Sequence, residues 1–77
     1  MNIRNKIQHL CEETCGKQIT PEDKLLAMMD SYKLMDLICS LEDEFQITFL
    51  PKEIADLDHF SCMNSIVELI KNKYDSQ

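Results

Sequence analysis

The sequence predicts an all-α fold, and three observations carry the prediction. Apolar residues recur at helical rather than alternating spacing in separate segments. The chain has one Gly and two Pro, too few of the turn residues that a series of short strands needs. Its 77 residues suffice for one modest core, because small chains bury a lower fraction of their surface than long ones. Residues 1–77 are therefore expected to form a single domain.

The first helix is expected from Ile3, Ile7, Leu10, Cys11 and Thr14, which fall on one helical face. Gly16 offers a stop, since leaving a helix in the left-handed region costs glycine little. From Lys17 to Asp30 the periodicity fades and Thr20-Pro21 marks a turn. Leu25, Leu26, Met28 and Met29 remain available to pin a long loop to the core, and loops of such length in compact domains are often functional.

The strongest pattern runs from Ser31 to Phe45. Leu34, Leu37, Ile38, Leu41 and Phe45 make one narrow stripe that must face inward. Tyr32, Met35 and Cys39 stand roughly 100° or more around the helix from it and are expected at the edge of the core, beside Asp36 and Asp43. Ile47 to Leu50 reads as a link, and Pro51 as the opening of a short helix through Ile54. Asp58 to Phe60 reads as a second connection. Ser61 is the expected N-cap of a last helix with Met63, Ile66, Val67, Ile70 and Tyr74 inward, and Asp75-Ser76-Gln77 are expected to fray. The result is three principal helices and one short one, joined by a long first loop.

Fourteen Asp and Glu against eight Lys and Arg give a net charge of -6. This argues against nucleic acid, whose binding rests on neutralised phosphates, and for partners with basic surfaces. No run approaches the roughly 20 apolar residues of a membrane span, and Met1-Asn2-Ile3-Arg4 leads into the amphipathic pattern without the apolar block of a signal peptide. The expected compartment is the cytoplasm. Cys11, Cys15, Cys39 and Cys62 accordingly read as free, mostly buried thiols rather than disulfides.

Asp30-Ser31 stands where the long loop meets the strongest helix. Ser31 has two readings from its surroundings alone. It can be an N-cap whose hydroxyl satisfies a free N–H, worth about 1 kcal/mol. It can also hold a phosphate, which the first-turn N–H groups and the helix dipole favour by up to about 2 kcal/mol. Asp30 is unwelcome to a phosphate and points to a role toward a partner enzyme or Mg²⁺. Cys11, Cys15 and His9 could share a metal, but no second ligand pair follows at zinc-type spacing. His9 and His59 invite a hydrolase triad, yet Ser31 lacks a Gly-x-Ser-x-Gly elbow. Gly16 lacks the setting of an EF-hand loop.

The stretch Asp30-Ser31-Tyr32-Lys33-Leu34-Met35-Asp36-Leu37-Ile38-Cys39-Ser40-Leu41-Glu42-Asp43-Glu44-Phe45 resembles the signature of acyl and peptidyl carrier proteins. There Asp-Ser-Leu opens the second helix and Leu-Glu-x-x-Phe closes it. Ile47, Pro51-Lys52-Glu53-Ile54, Phe60-Ser61 and Ile66-Val67-Glu68-Leu69-Ile70 also resemble the family, so the likeness covers essentially the whole chain. It implies an acyl-carrier-like four-helix bundle. It further implies a covalent 4'-phosphopantetheine, taken from coenzyme A and attached to Ser31 by a separate phosphopantetheinyl transferase, with no catalysis by the chain itself. Acyl or aminoacyl groups would ride as thioesters to loading and processing enzymes with basic docking surfaces, in fatty-acid or specialised biosynthesis. The matching docking positions are Asp30, Asp36, Glu42 and Asp43 for charge, and Tyr32, Met35 and Cys39 for apolar contact. A stand-alone monomer without a metal site is the expectation.

Three departures from the pattern bear on the pathway. Tyr32 replaces the usual Leu, Lys33 occupies a position often acidic in fatty-acid carriers, and Met28-Met29 stands where a Gly and a small residue commonly precede Asp-Ser. They leave room for a specialised carrier or an aminoacyl carrier of the D-alanyl or peptidyl type. They also motivate an alternative, an unmodified carrier-like domain acting as an interaction or scaffold subunit.

Overall fold

Two principal helices begin and end where local chemistry tells them to. In the computed structural model, which describes residues 2–75, α1 (Ile3–Cys15) starts where the Asn2 side chain accepts the Asn5 N–H at 3.1 Å. It ends at Gly16, whose φ of 76° lets its N–H reach the Glu12 carbonyl at 2.8 Å. The second of these helices runs over Ser31–Phe45 and all five residues of its predicted stripe are buried. It ends on Gln46, which takes the same left-handed conformation at φ 54° without being glycine.

The two exits share a device. Glu12 accepts the Ile19 N–H and Glu42 accepts the Phe49 N–H, each seven residues downstream, at 3.2 and 2.9 Å. In both cases the left-handed residue lies between, and the residue whose N–H is held, Ile19 or Phe49, is buried. A carboxylate in the last turn thus satisfies a backbone donor that the departing chain carries into the core.

Between these helices the long loop contains one helical turn that the fading periodicity did not predict, α2 (Leu25–Met28). It is held from far along the chain, because the Leu25 N–H bonds the Ser61 carbonyl at 2.8 Å. Leu25 and Met29 are buried, Met28 packs against the core, and Leu26 is left exposed. The Ser31–Phe45 helix is therefore α3. Next come α4 (Pro51–Ala55), as the proline placed it, a 3-10 turn at Leu57–Phe60 that opens with the Asp56 side chain accepting the Asp58 N–H, and α5 (Met63–Asp75).

The expectation for Ser61 is corrected. Its hydroxyl donates to the Asp58 carbonyl at 2.9 Å, so it closes the 3-10 turn, and the first bond of α5 runs from the Ile66 N–H to the Cys62 carbonyl. A turn and a helix follow each other so closely here that a residue suited to begin the second is used to finish the first. Asp75 is still helical, while the fraying expected at Ser76 and Gln77 falls outside the described residues.

The all-α prediction holds: no strand occurs among the described residues. α1 packs against both α3 and α5, and the 3-10 turn packs against α5 and α4. The inward residues predicted for α5 are buried, Tyr74 partly, and Ile19, Ile47, Phe49 and Leu69 join the core. Among the described residues no polar or charged residue is buried, and no helix is long and apolar enough to cross a membrane.

Candidate functional site

Ser31 is the first helical residue of α3, and Asp30 is the N-cap. The Asp30 backbone is extended and its Oδ1 accepts the Lys33 N–H at 2.8 Å. The capping role that the sequence left open to Ser31 is therefore filled by its neighbour. Ser31 is exposed, and its hydroxyl has no hydrogen-bond partner among the described residues. The carboxylate that looked unwelcome to a phosphate is occupied in starting the helix.

From Ser31 the exposed face of α3 runs along Tyr32, Asp36, Cys39 and Asp43, which roughly 100° per residue places close to one line, with Met35 on the Ser31 side. All five are exposed, Tyr32 at 83% and Met35 at 47%. Tyr32, Met35 and Cys39 thus lie outside the core rather than at its edge, because the five-residue stripe already fills the space beneath α3. Glu42 departs from the docking set: it is half-buried and turned to the Phe49 N–H.

Charge is distributed unevenly. Residues 34–58 contain Asp36, Glu42, Asp43, Glu44, Glu53, Asp56 and Asp58 against Lys52 alone, so this stretch carries the whole net charge of -6 and the rest of the chain is neutral. At the Ser31 end of α3 an exposed acid and an exposed base, Asp30 and Lys33, stand three residues apart. α1 and α3 run antiparallel: Lys6, near the start of α1, meets Glu44, near the end of α3, at 3.3 Å. Burial pushes the Cys15 thiol up, the Lys17 and Lys33 charges pull against it, and Asp23 adds to the rise.

A second cluster joins α4 to α5. Lys73 Nζ donates to Glu53 Oε1 at 2.6 Å and to the Thr48 carbonyl at 3.0 Å, and lies 5.4 Å from the centre of the Phe49 ring. Glu53 Oε1 also accepts the Leu50 N–H at 2.7 Å. Burial would raise the Glu53 carboxyl, but the hydrogen bonds from Lys73 and Leu50, with the Lys73 and His59 charges, hold it below its usual range. The pair borders a groove of about 330 Å³ lined also by Ile47, Leu50 and Leu69. Sequence reading did not pair these residues, since twenty positions separate them; a Glu three residues after Leu50, at the start of a proline-led turn, was the available signal.

The four thiols are free, as expected, but only Cys11 is buried; Cys15 and Cys62 are partly covered and Cys39 is exposed. Burial, with Cys15 and Glu12 adding, pushes the Cys11 thiol up to about 12. Cys62 goes the other way: the Ser65 hydroxyl 3.5 Å away leads the lowering against burial, and the Ser65 and Asn64 N–H groups and the Ser61 hydroxyl support it. Brief iodoacetamide treatment of the native protein at pH 8 should label Cys39 and Cys62 first and spare Cys11 until denaturant is added. Peptide mapping that found Cys11 labelled as fast as Cys39 would contradict this packing.

His9 pairs with Glu13 at 2.8 Å and His59 with Asp56 at 3.7 Å, and neither imidazole is hydrogen-bonded to Ser31. Cys11, Cys15 and His9 do not form a metal-binding group, and no such group occurs among the described residues. Comparison with protein-family models, curated proteins and solved structures found no match for this chain.

Proposed function

We propose that this chain is a carrier protein with an acyl-carrier-like bundle, holding acyl or aminoacyl groups on a 4'-phosphopantetheine arm attached to Ser31. The observation that carries the reading is the state of that hydroxyl: exposed, unbonded, and at the first position of the longest helix, with Asp30 taking the cap beside it. A serine kept for local structure would spend its hydroxyl on a backbone N–H. The order of the motifs along the whole chain adds support.

The residues present fit the arm. Ser31 Oγ is open to a transferase and would become the bridging oxygen of a phosphodiester, at a helix end that favours an anion. The arm supplies a terminal thiol that carries cargo as a thioester. Tyr32, Met35 and Cys39 offer apolar contact and Asp36 and Asp43 offer charge to a basic partner surface, so partners dock beside the attachment point. The chain itself performs no catalysis in this reading and works as a monomer in the cytoplasm.

Incubation with coenzyme A, Mg²⁺ and a broad-specificity phosphopantetheinyl transferase should add one phosphopantetheine by intact mass, and Ser31→Ala should abolish the addition while remaining folded. An unchanged wild-type mass, with several transferases that load a control carrier, would overturn the reading. A second reading, an unmodified scaffold subunit, is favoured by the 83% exposure of Tyr32 beside Ser31. It predicts that Ser31→Ala keeps both partner binding and biological activity.

A further inference from the structure

A single cation stands among the exposed carboxylates at the head of α3. Lys33 is exposed and makes no ion pair among the described residues, and the same is true of Lys17, which follows the left-handed exit of α1. Lys6 and Lys73, by contrast, are paired with Glu44 and Glu53. Of the two acids three residues from Lys33, Asp30 accepts its backbone N–H, and Asp36 makes no ion pair with it among the described residues. Asp23, the acid acting on Cys15, accepts the Thr20 N–H at 2.8 Å.

Lys33 sits roughly 60° around the axis from Asp36, on the flank toward α1, while the carboxylates of the docking face begin one turn further along. A partner laid along α3 therefore meets a cation within the first turn, between Asp30 and Asp36, and a further anion at Asp43. Like charges brought together disfavour a wrong partner, and an opposite charge in the same place favours a right one.

We infer that Lys33 is a specificity determinant of the docking face: the partner it fits carries basic groups opposite Asp36 and Asp43 and a carboxylate opposite Lys33, and partners with uniformly basic surfaces are disfavoured. The inference rests on the carrier reading of Ser31.

The test uses coenzyme A, Mg²⁺ and a transferase whose docking surface is uniformly basic, with loading followed by intact mass at low salt. Lys33→Glu should raise kcat/KM for the protein substrate about fivefold through KM, with kcat unchanged, and Lys33→Gln about twofold. Both gains should vanish near about 0.5 M NaCl, where charges a few ångströms apart are screened. Asp36→Lys should move KM the opposite way. Equal or slower loading of Lys33→Glu, or a gain that persists at high salt, overturns the inference while leaving the carrier reading intact. Failure of both wild type and Lys33→Glu to load, beside a control carrier that does, overturns the carrier reading itself.

Discussion

Phe60→Ala should lower the unfolding free energy by about 3–5 kcal/mol, the range for a buried aromatic truncated to alanine. Phe60 is fully buried, and its ring meets Phe49 edge to face with centroids 5.5 Å apart. It belongs to the 3-10 turn that packs on both α4 and α5, so its loss empties the place where the second half of the chain closes on itself. A single domain has only about 5–15 kcal/mol of stability, so the variant should unfold at much lower urea than wild type. Phe60→Leu, which keeps most of the volume, should cost less than half as much. A loss under about 1 kcal/mol for Phe60→Ala would mean that this side chain does not fill the core as described.

Glu53→Ala carries the second large effect, about 2 kcal/mol, because a carboxylate that accepts two hydrogen bonds is removed from a shielded place. The side chains of Lys73 and Glu53 are only 14% and 16% exposed. Without Glu53 the Lys73 ammonium keeps the Thr48 carbonyl and the Phe49 ring face, and the Leu50 N–H loses its acceptor. The pH dependence follows from the sign of the shift. The folded carboxyl is held below its usual range, so its stabilisation is present above the unfolded value of about 4.3 and is lost as pH falls through the lower folded value. Urea titrations at pH 7 and pH 3 should show the gap between wild type and Glu53→Gln narrowing in acid. A gap that stays constant would contradict the role given to the pair.

These predictions lie on different sides of what the sequence made legible. α1 and α3 could be read to within a residue, because Gly16 marks one end and the Leu34, Leu37, Ile38, Leu41 and Phe45 stripe bounds the other helix. α2 could not, since what makes it turn is the Ser61 carbonyl far along the chain. Two cap-competent residues stood side by side at the head of α3, and local pattern alone does not tell Asp30 from Ser31; the backbone settles it for Asp30. At Ser61 the same preference misled, because the hydroxyl serves the 3-10 turn.

The candidate site was legible as a set of positions but not as an arrangement. The spacing of Tyr32, Asp36, Cys39 and Asp43 gives their common face, whereas their exposure depends on how completely the stripe opposite fills the core. Glu42 looked like part of that face and is instead drawn to the Phe49 N–H. The meeting of Lys6 with Glu44 comes only from the antiparallel packing of α1 and α3, which periodicity does not encode.

The central claim is that Ser31 carries the arm, and peptide mass spectrometry of the protein purified from its native cell tests it most directly. The account predicts a phosphopantetheine, free or acylated, on the peptide containing Ser31. A Ser31 peptide that is wholly unmodified in the active protein would contradict it.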